Sequence, residues 1–225
     1  MKPRIPSVLA LALLLAAGCD GSPQDSDTEP LTFSESSVLG DSFGETCTAA
    51  YYWPAAMSHF AVGVFPVAAP EAPYRITGFS GELLDAAGAF VGGERSCDPT
   101  VGVRVFAFLH DGSPEDFELD ASGLPVTGVL AEAVLTGERA EEDWTNVHAE
   151  VVLEEPVVVH GTERLWIGYD AGRDPGSEEG ACFSGCDEGD DELWFWLSED
   201  GWFSGQGWEQ REDQNALLTV SVDHN

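Results

Sequence analysis

Three groups of residues in this 225-residue chain have types and spacings that could do chemistry beyond packing. The first is a set of four cysteines, Cys47, Cys97, Cys182 and Cys186. An even number predicts two disulfides, and four cysteines allow three connectivities. Only Phe183, Ser184 and Gly185 separate Cys182 from Cys186, so a small local loop is expected to join these two. Cys47 then pairs with Cys97, each just ahead of a strand-like segment. The rival chemistry, zinc on Cys182 and Cys186, needs two further ligands. No suitably spaced histidine pair stands nearby.

The second group is Asp187, Glu188, Asp190, Asp191 and Glu192, a dense run of carboxylates around Gly189. Calcium takes about six to eight hard oxygens from flexible loops, and this run can supply several. It departs from the alternating Asp/Asn spacing of an EF-hand loop, and its plainer reading is a solvated charged loop. The third group is aromatic: Trp194, Phe195, Trp196, Trp202, Phe203 and Trp208. On a strand, Trp194 and Trp196 share one face about 7 Å apart. Leu193, Phe195 and Leu197 then form the core side. Tryptophans left on the outer face, Trp202 among them, would make a stacking surface for a sugar ring or a protein chain. The plainer reading is that the segment from Gly201 to Gly207 folds over them.

Catalytic patterns are missing. Gly78-Phe79-Ser80-Gly81-Glu82 lacks the closing glycine of a nucleophile elbow. There is no zinc-protease H-E-x-x-H, no phosphate-cradling P-loop and no dinucleotide-binding glycine pattern. His59, His110, His148, His160 and His224 are scattered and read as surface or strand residues. With 41 acids, accidental carboxylate pairs are so common that a glycosidase-like pair carries no information. No catalytic residue is assigned.

The N-terminus is more specific. Lys2 and Arg4 precede an apolar run from Val8 to Ala17, and small residues lead to Cys19. A positive start, a short apolar stretch and a small-residue junction make an export signal. The run is too short to span a bilayer, which takes about 20 residues. Leu15-Ala16-Ala17-Gly18-Cys19 resembles the lipobox of bacterial lipoproteins, with alanine at position 16 where leucine is commonest. The resemblance implies diacylation of the Cys19 sulfur, cleavage before it, and a lipid bilayer as partner. It places the domain at the bacterial cell envelope, on the outer or the inner membrane. Removing Lys2 and Arg4 with residues 1–18 leaves seven arginines against 41 acids, a charge of about −34, and no lysine. Nucleic acid is excluded as a partner, because phosphate binding needs many cations.

Residues 19–35 read as a flexible acidic tether, too polar to offset the entropy of ordering by burial. As a coil they would span roughly 22 Å. Beyond them the pattern has period two. Val101, Val103, Val105, Ala107 and Leu109 mark one strand face, Thr145, Val147, Ala149, Val151 and Leu153 another, and Ala216, Leu218, Val220 and Val222 a third. Similar segments run 59–67, 74–84, 128–136, 157–159, 165–170 and 193–198, separated by turns such as Asp111-Gly112-Ser113-Pro114 and Asp174-Pro175-Gly176. The expected fold of residues 36–225 is all-β: a two-sheet antiparallel β-sandwich, jelly-roll-like, of about eight or nine strands. The leading functional expectation is a membrane-tethered lipoprotein whose domain serves binding or envelope structure, with a glycan or protein as ligand. A calcium-stabilised carbohydrate-binding module comes second, and a hydrolase with an unrecognised site third.

Overall fold

The computed structural model describes residues 30–41, 50–54, 60–86, 96–117, 128–142, 144–170, 179–186, 193–197, 207–211 and 215–225. The strands lie in one compact unit, Thr32–Asn225. They are β1 (Glu35–Gly40), β2 (Ala50–Pro54), β3 (Phe60–Val67), β4 (Tyr74–Asp85), β5 (Ser96–Cys97), β6 (Val103–Leu109), β7 (Val129–Leu135), β8 (Thr145–Val159), β9 (Leu165–Asp170), β10 (Glu179–Gly180), β11 (Cys182–Cys186), β12 (Leu193–Leu197), β13 (Gly207–Arg211), β14 (Asn215–Ala216) and β15 (Leu218–His224).

Two antiparallel sheets pack as a β-sandwich. In the first, β4 pairs β8 along one side and β15 and β11 along the other; β1 extends β15, and β2 and β14 extend β11. The second runs β13-β12-β3-β9-β6-β7. The core between them follows the period-two pattern. Val103, Val105 and Ala107 of β6 lie in it beside Phe65, Ile167 and Tyr169 of the same sheet, and Leu218, Val220 and Val222 of β15 come from the other sheet. Val101, expected on the same face as Val103, lies in the preceding turn and is 53% exposed.

Two segments that look separate in sequence form one strand, β8. Its register against β4 shifts between Val152, opposite Gly78, and Val157, opposite Ile76. Pro156, which cannot donate a ladder hydrogen bond, falls in that interruption. Odd-numbered residues stay inward through the skipped stretch, so Val151 before it, Leu153 within it, and Val157 and Val159 after it all pack on the core. At the other margin, β1 begins at Glu35, where the tether was expected to end, and Ser34 N–H already donates to the His224 carbonyl at 3.0 Å. β1 ends at Gly40 with φ +101°, where a Cβ would strike the Leu218 carbonyl oxygen.

The disulfide expectation needs correction. Cys182 and Cys186 stand at the two ends of β11. Four residues of extended strand separate Cα atoms by about 13 Å, far beyond the ~7 Å that a disulfide can bridge. Cys182 is bonded instead to Cys97, with Cα atoms 5.2 Å apart. Cys97 is brought there by its ladder with Gly180 and its bridge to Ala86. The bonded pair is buried beside Leu84 and Ala86. Cys47 lies outside the described residues.

A polar clasp holds the loop after β7 against the same region. Arg139 reaches Asp85 Oδ1 at 2.6 Å with Nη1 and Asp98 Oδ2 at 2.7 Å with Nη2. Ala140 N–H donates to Asp85 Oδ2. Burial pushes the Asp98 carboxyl up, but hydrogen bonds from the Thr100 hydroxyl and N–H, with the Arg139 charge, outweigh it and leave the group below the usual range. Asp223 is also held low, first by the Ser36 hydroxyl and then by Arg75. Folded values below the unfolded ones give stability that is fully present above about pH 4 and lost as pH falls through the folded values. Unfolding in urea is therefore expected at lower concentration at pH 3 than at pH 6. Arg139→Met should narrow that gap and cost about 1–2 kcal/mol at pH 7, a figure reduced from the fully buried case because the arginine is half exposed. Identical pH dependence in both proteins would show that the clasp does not form.

Candidate functional site

The outer face of the second sheet carries the aromatic residues. In β6 the residues between core positions are also large and apolar, Phe106 and Phe108. In β3 and β9 the matching positions are Val62, Val64 and Trp166. A face built this way cannot be left to water, and the chain after β6 covers it. A single 3₁₀ turn, Pro114–Asp116, delivers Phe117 onto the sheet. Its ring stands edge-on to Phe108 at 5.1 Å, Trp166 at 5.1 Å, Trp208 at 5.6 Å and His110 at 4.6 Å.

Polar atoms lock the cover in place. Trp166 Nε1–H donates to the His110 carbonyl at 2.9 Å, and Trp208 Nε1–H to the Phe117 carbonyl at 3.2 Å. His110 Nδ1 accepts from the Gly112 N–H at 2.7 Å, so the ring is fixed by its own turn. The Arg164 guanidinium lies over the Trp166 ring at 5.2 Å. At the sheet's margin this cluster thins: Trp194, Trp208 and Val129 are only partly buried.

Trp194 therefore sits where the sequence pattern placed it. Leu193 faces the core and is fully buried, while Trp194 packs on the outer cluster. Trp194 is opposite Gln210 and Val64 in the ladder, and Trp196 opposite Trp208 and Val62. Trp194 Nε1 is buried with no hydrogen-bond partner among the described residues. The other expected site residues are not brought together here. Cys19, Trp202 and the run Asp187, Glu188, Asp190, Asp191 and Glu192 lie outside the described residues. Among the described residues, no group of three or more His, Cys, Asp or Glu side chains could hold a metal ion.

Phe117 and His110 were the residues that sequence reasoning missed. The available signal was β6 itself, Val-Arg-Val-Phe-Ala-Phe-Leu, whose apolar residues fall on both faces. A strand that is apolar on both faces is covered on both. No known domain family matches the chain, no curated protein is detectably similar to it, and no solved structure matches its fold.

Proposed function

We propose that the chain is an exported lipoprotein, anchored through acylated Cys19, whose β-sandwich serves binding at a bacterial envelope and not catalysis. The observation that carries this reading is the buried Cys97–Cys182 disulfide, which joins residues 85 apart in sequence. Disulfides persist in oxidising compartments and are rare in the cytosol. The bond thus supports export on grounds independent of the signal-like N-terminus. Two acyl chains hold a protein stably at a membrane, at about 0.8 kcal/mol per buried CH₂. The outer aromatic face, with Trp194 and Trp208 half-buried at its margin, is the surface best suited to a glycan or protein ligand.

Metabolic labelling with a fatty acid tests the anchor. Wild-type protein is expected to carry label and fractionate with membranes, and Cys19→Ser to carry none and remain soluble. Equal label on both would remove Cys19 from the mechanism.

A second reading, a calcium-stabilised carbohydrate-binding module, is favoured by the partly buried rings of Trp194 and Trp208 at the margin of the aromatic cluster. A glycan array separates the two readings. A rise in melting temperature with millimolar Ca²⁺ that NaCl of equal ionic strength does not reproduce would favour the second.

A further inference from the structure

The margin of the outer aromatic cluster carries a polar group that the packing does not use. β12 and β13 pair so that Trp194 stands opposite Gln210, and Trp196 opposite Trp208. Trp194 and Trp208 both join the outer cluster, which puts the even-numbered positions of the two strands on the outer face, Gln210 among them. Directly opposed residues of an antiparallel pair hold their Cβ atoms about 4.5–5.5 Å apart, and residues two apart on one strand lie about 7 Å apart. The four positions make a small square, tryptophan at three corners and glutamine at the fourth.

Gln210 is half-buried, and its side-chain amide meets no hydrogen-bond partner among the described residues. Its neighbour Trp208 differs, donating its indole N–H to the Phe117 carbonyl at 3.2 Å. The Gln210 amide is also not sealed from solvent, unlike the Trp194 Nε1. An amide carries two N–H donors and a carbonyl acceptor in one plane. The half-buried rings of Trp194 and Trp208 beside it offer apolar surface. Ligand sites combine these two features, a largely aromatic lining and a few placed polar groups.

We propose that this margin binds a neutral polysaccharide chain and that Gln210 reads the hydroxyls of one of its sugars. The inference rests on the outer aromatic face being the ligand surface, and it names the ligand class and the residue that selects it. Adjacent sugar hydroxyls each donate and accept, and the amide answers both roles at once. The apolar C–H face of the ring lies on the tryptophans. The formal charge of −32 repels uronic acids and sulfated sugars. Arg211, the next residue of β13, does not offset this at the site, because it holds the position opposite Leu193, on the other face.

Calorimetric titration of the whole protein at low salt, with cellohexaose, mannohexaose and hexagalacturonate as probes, tests it. At least one neutral hexasaccharide should bind, and hexagalacturonate should bind at least tenfold more weakly. Gln210→Ala should weaken the better neutral probe about tenfold, the effect of losing two neutral hydrogen bonds. Its melting temperature should match the wild type, because the amide has no internal partner to lose. Gln210→Glu keeps the size of the side chain but removes both donors, and should weaken binding at least as much. If Trp194→Ala abolishes binding and Gln210→Ala leaves it unchanged, the aromatic face stands as the ligand surface and the role of Gln210 is overturned. If Trp194→Ala and Trp208→Ala both bind as the wild type does, the aromatic face itself is the wrong surface. Equal binding of hexagalacturonate overturns the neutral ligand class. Binding by none of the three overturns the inference and leaves a polypeptide as the occupant of this face.

Discussion

Replacing Cys97 and Cys182 together by alanine is expected to lower the unfolding free energy by about 4 kcal/mol. The figure follows from the size of the closed loop, 85 residues in sequence separation. In the chain-entropy account the crosslink restricts the unfolded chain, and loops of this order give values between 4 and 5 kcal/mol, eroded by any strain in the native state. A typical domain has only about 5–15 kcal/mol to lose, so the variant should unfold at markedly lower urea. Reduction of the wild type should cost at least as much, because it also opens any second bridge. With Cys97 and Cys182 bonded to each other, the pair that completes the set is Cys47 with Cys186. Cys19 apart, the oxidised protein, wild type or double variant, is therefore expected to titrate no free thiol under denaturing conditions. A peptide map joining Cys182 to Cys186 would refute the connectivity, and a loss below about 1 kcal/mol would refute the energetic argument.

The failure of the local-loop expectation shows where sequence spacing stops being informative. A three-residue gap between cysteines reads as a small ring only if the chain turns there. Phe183, Ser184 and Gly185 instead continue an extended strand, held by pairing with Trp53, Tyr52 and Tyr51 of β2. Those partners are more than 100 residues away in sequence, so no local signal reports them. The alternation in β8 and β15 was readable, because a half-buried strand writes its two environments directly into the residue pattern. β1 was not, since its polar Ser36 and Ser37 break any apolar alternation. Their partners, Asp223 Oδ1 and His224 Nε2, each at 2.7 Å, come from the far end of the chain. The candidate site divides the same way. The position of Trp194 on the outer face followed from period two, whereas the cover over its neighbours depended on where a single 3₁₀ turn sends Phe117.

That cover sets the second large expectation. Trp166→Ala should cost about 3–5 kcal/mol, as much as a large truncation between the sheets, although Trp166 lies on the sandwich's outer face. The residue is 1% exposed. Its ring stacks near Phe108 at 6.4 Å, meets the edge of Phe117 at 5.1 Å, and carries Arg164 at 5.2 Å. Trp166→Phe keeps a ring in the cluster but leaves the His110 carbonyl without its indole donor, and should cost about 1–2 kcal/mol. Val152→Ala, at a position 71% exposed, serves as the control and should change stability by less than about 0.5 kcal/mol. Phe117 and Trp166 touch, so their alanine variants should couple and fall short of additivity in a double-mutant cycle. Removing either ring exposes what the other was packed against. The measurement also separates two views of the aromatic concentration. If it is a sealed second core, Trp166→Ala and Phe117→Ala both unfold the protein at lower urea, and ligand contact is confined to the margin at Trp194 and Trp208. A loss under about 1 kcal/mol for Trp166→Ala would mean that the cluster is open to water, and the whole face, not its margin alone, would then be the surface to test for sugar stacking.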